Sequence, residues 1–176
     1  MTNKKQKLEL TWIGKDEVLK LEPRILIEDP NKSYGDSNSE NMLIHGDNLL
    51  ALKALEQDFT GKIKCIYIDP PYNTGSRIDA DGKEIGYDDG LEHSEWLNMM
   101  KPRLEILRKL LTEDGSIYVS IDNTEVAYLL VLMDEIFQRN NRKNIIIIKR
   151  GSVTGAKVIN PGLVNITEFI LVYTKN

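Results

Sequence analysis

Ile63–Tyr72, IKCIYIDPPY, is an apolar run that ends in an acid, two prolines and an aromatic. Ile63, Cys65, Ile66, Tyr67 and Ile68 make it mostly continuous in apolar character, which predicts a strand over 63–68 covered on both faces, as strands of parallel sheets are. Pro70 and Pro71 then set the direction of the chain as it leaves the strand. Asp69 therefore falls at a strand's carboxyl end, where open α/β sheets bind their ligands.

The pattern on either side supports an α/β domain. Upstream, Met42–His45 predicts a short strand, Gly46-Asp47-Asn48 a turn, and Leu49, Leu52 and Leu55 the apolar face of a short helix. Downstream, Asn73–Glu92 is rich in Gly and Asp, long for a structureless loop in a compact domain. Ser94 is placed to cap a helix whose apolar positions are Trp96, Met100, Leu104, Leu107 and Leu111, with Gly115 placed to end it. Ser116–Ile121 is a third strand. Asp122 and Glu125 form a capping-box pattern before a helix with Val126, Leu129, Leu130, Met133 and Phe137 on one face. Asn144–Lys149 and Thr167–Thr174 are fourth and fifth strands without a helix between them. The order predicts a mostly parallel α/β sheet with an antiparallel final pair. Residues 1–41, mixed and polar, form an N-terminal arm ahead of a domain spanning 42–176.

Length and composition suit one ordinary domain, with 41% hydrophobic residues in 176. The lone Cys65 cannot form an intrachain bridge and is expected as a small buried hydrophobe. No apolar stretch follows Lys4, Lys5 and Lys7, and no run is long enough to span a bilayer, so a soluble, cytoplasmic protein is expected. The net charge of −4 is unevenly placed: from Arg139 onward the chain carries +6, and the remainder −10. A basic segment of this kind either supplies phosphate contacts, which depend on local potential, or is a solvated surface.

The tetrapeptide Asp69–Tyr72 has a chemical logic of its own. The exocyclic amino group of adenine or cytosine is a poor nucleophile, because its lone pair is delocalised into the ring. A carboxylate and a backbone carbonyl, each accepting one amino hydrogen, favour tetrahedral nitrogen and aim the lone pair at an electrophile. Asp69 and the carbonyl of Pro70 can serve. Tyr72 adds a flat ring on which an extruded base could stack, offsetting part of the unstacking cost. His45 and His93 lack a partner at ligand spacing, so no metal site is expected. At Asp122 the capping pattern is the preferred explanation.

On these residues the chain resembles the amino-group DNA methyltransferases, and among them the modification subunits of type III restriction-modification systems. The resemblance covers NMLIHGDN (Asn41–Asn48), CIYIDPPYNTG (Cys65–Gly75), His93–Leu111, DGSIYVSID (Asp114–Asp122), LMDEIF (Leu132–Phe137) and FILVYTKN (Phe169–Asn176). It implies a Rossmann-like class I methyltransferase sheet, S-adenosyl-L-methionine as methyl donor, and DNA as substrate. Asp69, Pro70, Pro71 and Tyr72 would then be catalytic, with Asp69 and Pro70 also bordering the donor. Asp47 resembles the position that reaches the donor's adenine or ribose, or is a turn-forming Asp. Tyr72, Asn73, Lys149, Arg150 and Lys157 are the expected DNA contacts. The segment after Tyr72 resembles those that close over a flipped base. Expected partners are a restriction subunit and a second modification subunit.

The family's glycine-rich donor turn is not found here: Gly82–Gly90 and Gly151–Gly155 lack a suitable preceding strand and following helix. In the permuted order of type III subunits that element comes later, after a target-recognition region. The chain is therefore expected to form an incomplete sheet, lacking the first two strands and the recognition region. Its missing C-terminal half is a further expected partner. Adenine N6 is the expected target, with N4 of cytosine, or a non-catalytic DNA- or partner-binding remnant, as alternatives.

Overall fold

The computed structural model describes residues 9–176 except 18, 23, 37, 75–76, 79–83, 86–91 and 151–165. The elements are α1 (Asn48–Phe59), β1 (Ile63–Ile68), the two-residue strands β2 (Arg77–Ile78) and β3 (Glu84–Ile85), α2 (His93–Leu110), β4 (Leu111–Ile121), α3 (Val126–Met133), β5 (Arg142–Lys149) and β6 (Thr167–Thr174). One turn of π-helix, Asp134–Gln138, extends α3. The main sheet has the order β1-β4-β6-β5. β1 and β4 are parallel, whereas β6 runs antiparallel to both β4 and β5. Only one of three pairings is parallel, so the described sheet is mixed rather than mostly parallel. The antiparallel end expected from two strands without a helix is present.

The sheet buries one face. Ile66, Ile117, Val119, Ile121, Leu171 and Tyr173 meet Leu49 of α1, Trp96, Met100 and Leu104 of α2, and Leu129 and Met133 of α3 in a single core. The apolar positions expected on α2, from Trp96 to Leu111, are all buried there. Across the register, Cys65, Tyr67, Ser116, Tyr118, Ile146 and Ile148 point the other way. Coverage of β1 on both faces is thus corrected: Tyr67 is 61% exposed, and Cys65 is exposed rather than buried. A continuous apolar run reports strand propensity, not which faces of the strand are covered.

Local details also differ. Met42–His45 is not a strand; Leu43 is fully in solvent, and no strand among the described residues pairs with it. The cap of α2 is Glu92, not Ser94, and its side chain makes no cap bond. Gly115 does not end α2, which stops at Leu110, but sits in β4 beside the register shift between Ile63 and Cys65. A Cβ there would lie 3.0 Å from the Ile63 carbonyl, the Thr112 carbonyl and Leu111 Cδ2. The residue is small because two backbones approach it.

The start of the chain is tied down. Leu10 N–H donates to Glu135 Oε1 at 2.6 Å, Trp12 Nε1 to Asn98 Oδ1 at 2.6 Å, and Lys15 pairs with Glu135 at 2.9 Å. Residues 9–15 are thus a strap over α2 and the π turn.

Candidate active site

The carboxyl edge of the parallel pair gathers the polar residues. β1 delivers Asp69, exposed, and Pro70; β4 delivers Asp122 and then Glu125. The crossover helix α2 returns antiparallel to both strands, so its first turn, with His93 and Trp96, lies at the same edge. β5 is parallel to β4 through β6, which brings Lys149 and Arg150 to that edge too.

The tetrapeptide is held from beneath. Trp96, fully buried, donates its indole N–H to the Pro71 carbonyl at 2.7 Å. Tyr72 is half-buried against the core, with the Asp69 carboxylate and the Ser120 hydroxyl near its phenol. Burial, and then the Asp69 carboxylate, push the Tyr72 phenol up from its ordinary value. Ser120 also shares a hydrogen bond with the Tyr67 hydroxyl, at 2.8 Å. Asp69 therefore presents its carboxylate at the surface with a phenol beside it.

Asn73, expected at the DNA, is turned inward instead. It adopts a left-handed backbone, φ 62°, is 7% exposed, and donates its side-chain amide to Glu125 Oε1 at 2.5 Å. His93 Nδ1 lies 2.6 Å from the same oxygen, and its ring packs at 4.9 Å on Tyr128. This overturns the capping box. Asp122 accepts from Thr124 N–H at 2.8 Å as a turn, but Glu125 makes no side-chain cap bond to α3 and is fully buried in the site. A motif of Asp and Glu at cap spacing cannot show which way the Glu turns; the buried partners decide it.

Asp47 is the N-cap of α1, accepting from the N–H groups of Leu49 and Leu50 at 3.0 Å. Next to it, Asn48 Oδ1 accepts from Arg103 Nε at 2.7 Å. Burial pulls the Arg103 guanidinium down from its ordinary value, and Asp47 acts to raise it. Arg150 pairs with Glu168 at 2.8 Å, so part of the basic edge is already neutralised. Lys157 lies outside the described residues. So do the glycine turns at 151–155 and most of 82–90. Among the described residues no group of three or more His, Cys, Asp or Glu could hold a metal ion, and no helix is long and apolar enough to cross a membrane.

The sequence places Asp69–Tyr72 at a strand's carboxyl end, where they stand, but gives no site role to Trp96, Glu125 or His93. Trp96 looked like core, and its N–H was the signal, since a buried indole needs an acceptor.

An exposed carboxylate, two prolines and a tyrosine leaving a parallel strand, with a basic strand end alongside, define a class I methyltransferase type of sheet. The cytosine-N4-specific PvuII DNA methyltransferase has this fold, with a TM-score of 0.50 at 15% identity over 74% of this chain and 48% of that one. The DNA methylase family model, for N6 and N4 methyltransferases, matches residues 63–176, and the chain belongs to that family. It is 49% identical over 148 residues to the probable type III restriction-modification enzyme HindVI Mod subunit of Haemophilus influenzae, covering 82% of this chain and 19% of that protein. It is 34% identical over 203 residues to the EcoP15I Mod subunit of Escherichia coli, covering 98% and 31%. The chain thus spans about a third or less of the length of the curated relatives it matches.

Proposed function

We propose that this chain forms the target-base side of a methyltransferase that transfers a methyl group from S-adenosyl-L-methionine to N6 of adenine in DNA. The observation that carries the reading is the exposed Asp69 carboxylate at the end of β1, followed at once by Pro70 and the Tyr72 ring. Asp69 accepts one amino hydrogen and the Pro70 carbonyl the other, which localises the nitrogen lone pair. Tyr72 stacks the base, and Lys149 with Arg150 meets phosphate.

The donor, when bound, supplies a methyl group on a positively charged sulfonium. The residues present fit such a group in part: Asp47 and Asp69 offer exposed carboxylates able to accept hydroxyl hydrogens and to oppose positive charge. Transfer of that methyl to nitrogen would break the carbon–sulfur bond and leave the donor a neutral thioether. The extra amino proton leaves through Asp69 to solvent. No step needs a metal ion.

Without the family's glycine-rich turn, the chain alone is expected to bind the donor weakly and to transfer little. Calorimetry with S-adenosyl-L-methionine checks this, and tight stoichiometric binding would refute it. Function is tested by supplying the rest of a type III modification subunit in trans and following labelled methyl transfer to DNA. Transfer that Asp69→Ala abolishes, with N6-methyladenine in the nucleoside digest, is the expected result. N4-methylcytosine in the digest would overturn the choice of adenine. No transfer would favour a non-catalytic DNA- or partner-binding remnant.

A further inference from the structure

Glu125 is a fully buried acid that does nothing for the helix it precedes. Taking a carboxylate out of water is costly unless its oxygens are hydrogen-bonded. Here Oε1 receives Asn73 Nδ2 at 2.5 Å and faces His93 Nδ1 at 2.6 Å, while Oε2 is buried without a hydrogen-bond partner among the described residues. Asn73 directly follows Tyr72, and His93 opens α2. Both ends of the segment 74–92 therefore converge on one oxygen atom.

Asn73 also holds a left-handed backbone, which costs a non-glycine residue about 1–2 kcal/mol and persists where surrounding contacts enforce it. The Glu125 bond is one such contact. One helical turn into α2, Trp96 binds Pro71, so the tetrapeptide and the start of α2 are joined twice. A buried acid needs such partners for stability alone, but here both come from the two ends of the segment that joins the tetrapeptide to α2, which ties its position to Glu125.

We infer that Glu125 is a positioning residue: by holding Asn73 and His93 on one oxygen it sets where Asp69–Tyr72 stands relative to α2. The inference rests on the reading of that tetrapeptide as the methyl-transfer site.

Trp96 carries a probe for each end. Its indole N–H reports the Pro71 side, and its backbone N–H, bonded to the Glu92 carbonyl at 3.0 Å, reports the start of α2. In the full chain, hydrogen exchange at both is expected to quicken about tenfold or more in Glu125→Ala while the β4–β6 ladder changes less than about threefold. Glu125→Gln keeps an acceptor oxygen and restores both. Asn73→Gly keeps the left-handed turn without the side chain and quickens only the indole. Unchanged probes in Glu125→Ala, equal quickening throughout the sheet, or a Gln variant as poor as Ala would each overturn the inference. If Glu125→Ala does not fold, an unchanged indole in Asn73→Gly overturns it.

In the reconstituted transfer assay, Glu125→Ala is expected to lower kcat about tenfold with the donor KM within about twofold, and Gln to recover it. Normal kcat in Glu125→Ala, with transfer still dependent on Asp69, overturns the positioning role. Transfer that survives Asp69→Ala sinks the reading of the tetrapeptide instead, whatever the exchange probes show.

Discussion

The Asp69 carboxylate stands close enough to the Tyr72 phenol to push it up from its ordinary value, so the acceptor offered to a target amino group lies beside the site's own ring. Tyr72→Phe keeps the stacking surface and removes the phenol beside Asp69, and methyl transfer is expected to stay within about fivefold of the parent, since a net hydrogen bond is worth about 1 kcal/mol. Tyr72→Ala removes the ring, costs about 1–3 kcal/mol of stacking, and should lower kcat/KM by about 5- to 150-fold. Steady-state transfer kinetics on the reconstituted protein check both; equal losses would show that the ring is not the stacking platform.

Gly115 stands where two backbones meet. Gly115→Ala sets a Cβ 3.0 Å from the Ile63 and Thr112 carbonyl oxygens, neither of which can swing aside as a side chain would. Destabilisation of about 1–3 kcal/mol is expected, read as a lower midpoint in urea. An unchanged midpoint would mean that the β1–β4 register shift gives way freely.

Alkaline pH should loosen the fold through two phenols. Burial, and then Asp134 at 2.6 Å, push Tyr173 up as burial and Asp69 push Tyr72. A phenol raised in the folded state stabilises fully below its unfolded value, about 10, and that stabilisation is lost as pH rises beyond it. Of the seven tyrosines, these two should ionise only as the chain unfolds. Tyrosinate absorbance followed alongside circular dichroism checks this, and Tyr173→Phe should remove part of the pH dependence above 10.

Acid acts through a different joint. Lys109 and Lys53 hold Glu56 below the usual carboxylate range, joining the end of α1 to that of α2. A depressed carboxylate stabilises above its unfolded value, near 4.3, and loses that contribution as pH falls through its folded value. Glu56→Gln should flatten this acid limb, measured as melting temperature against pH. An unaltered limb would assign it to other carboxylates.

What could be read in advance follows from how each residue's role is encoded. Strands β1 and β6 appear over the residues their apolar runs mark out, and α2 buries the face its helical spacing marks, although it ends before Leu111, which opens β4. Asp69–Tyr72 was legible because proline constrains the backbone within four residues. Glu125 was not, since a carboxylate at cap spacing has two uses and only residues 52 and 32 positions away choose between them. The bareness of the second sheet face was illegible for a related reason: strand composition records what a face can bury, not what arrives to bury it.

The two tryptophans of this chain sit in distinct places, Trp12 on the strap and Trp96 beneath the tetrapeptide. That gives the protein a built-in optical reporter. In Trp12→Phe all indole fluorescence comes from a ring whose N–H is bonded to the peptide that precedes Tyr72. Displacement of that peptide by an incoming nucleotide would therefore register as a change in emission, without any label.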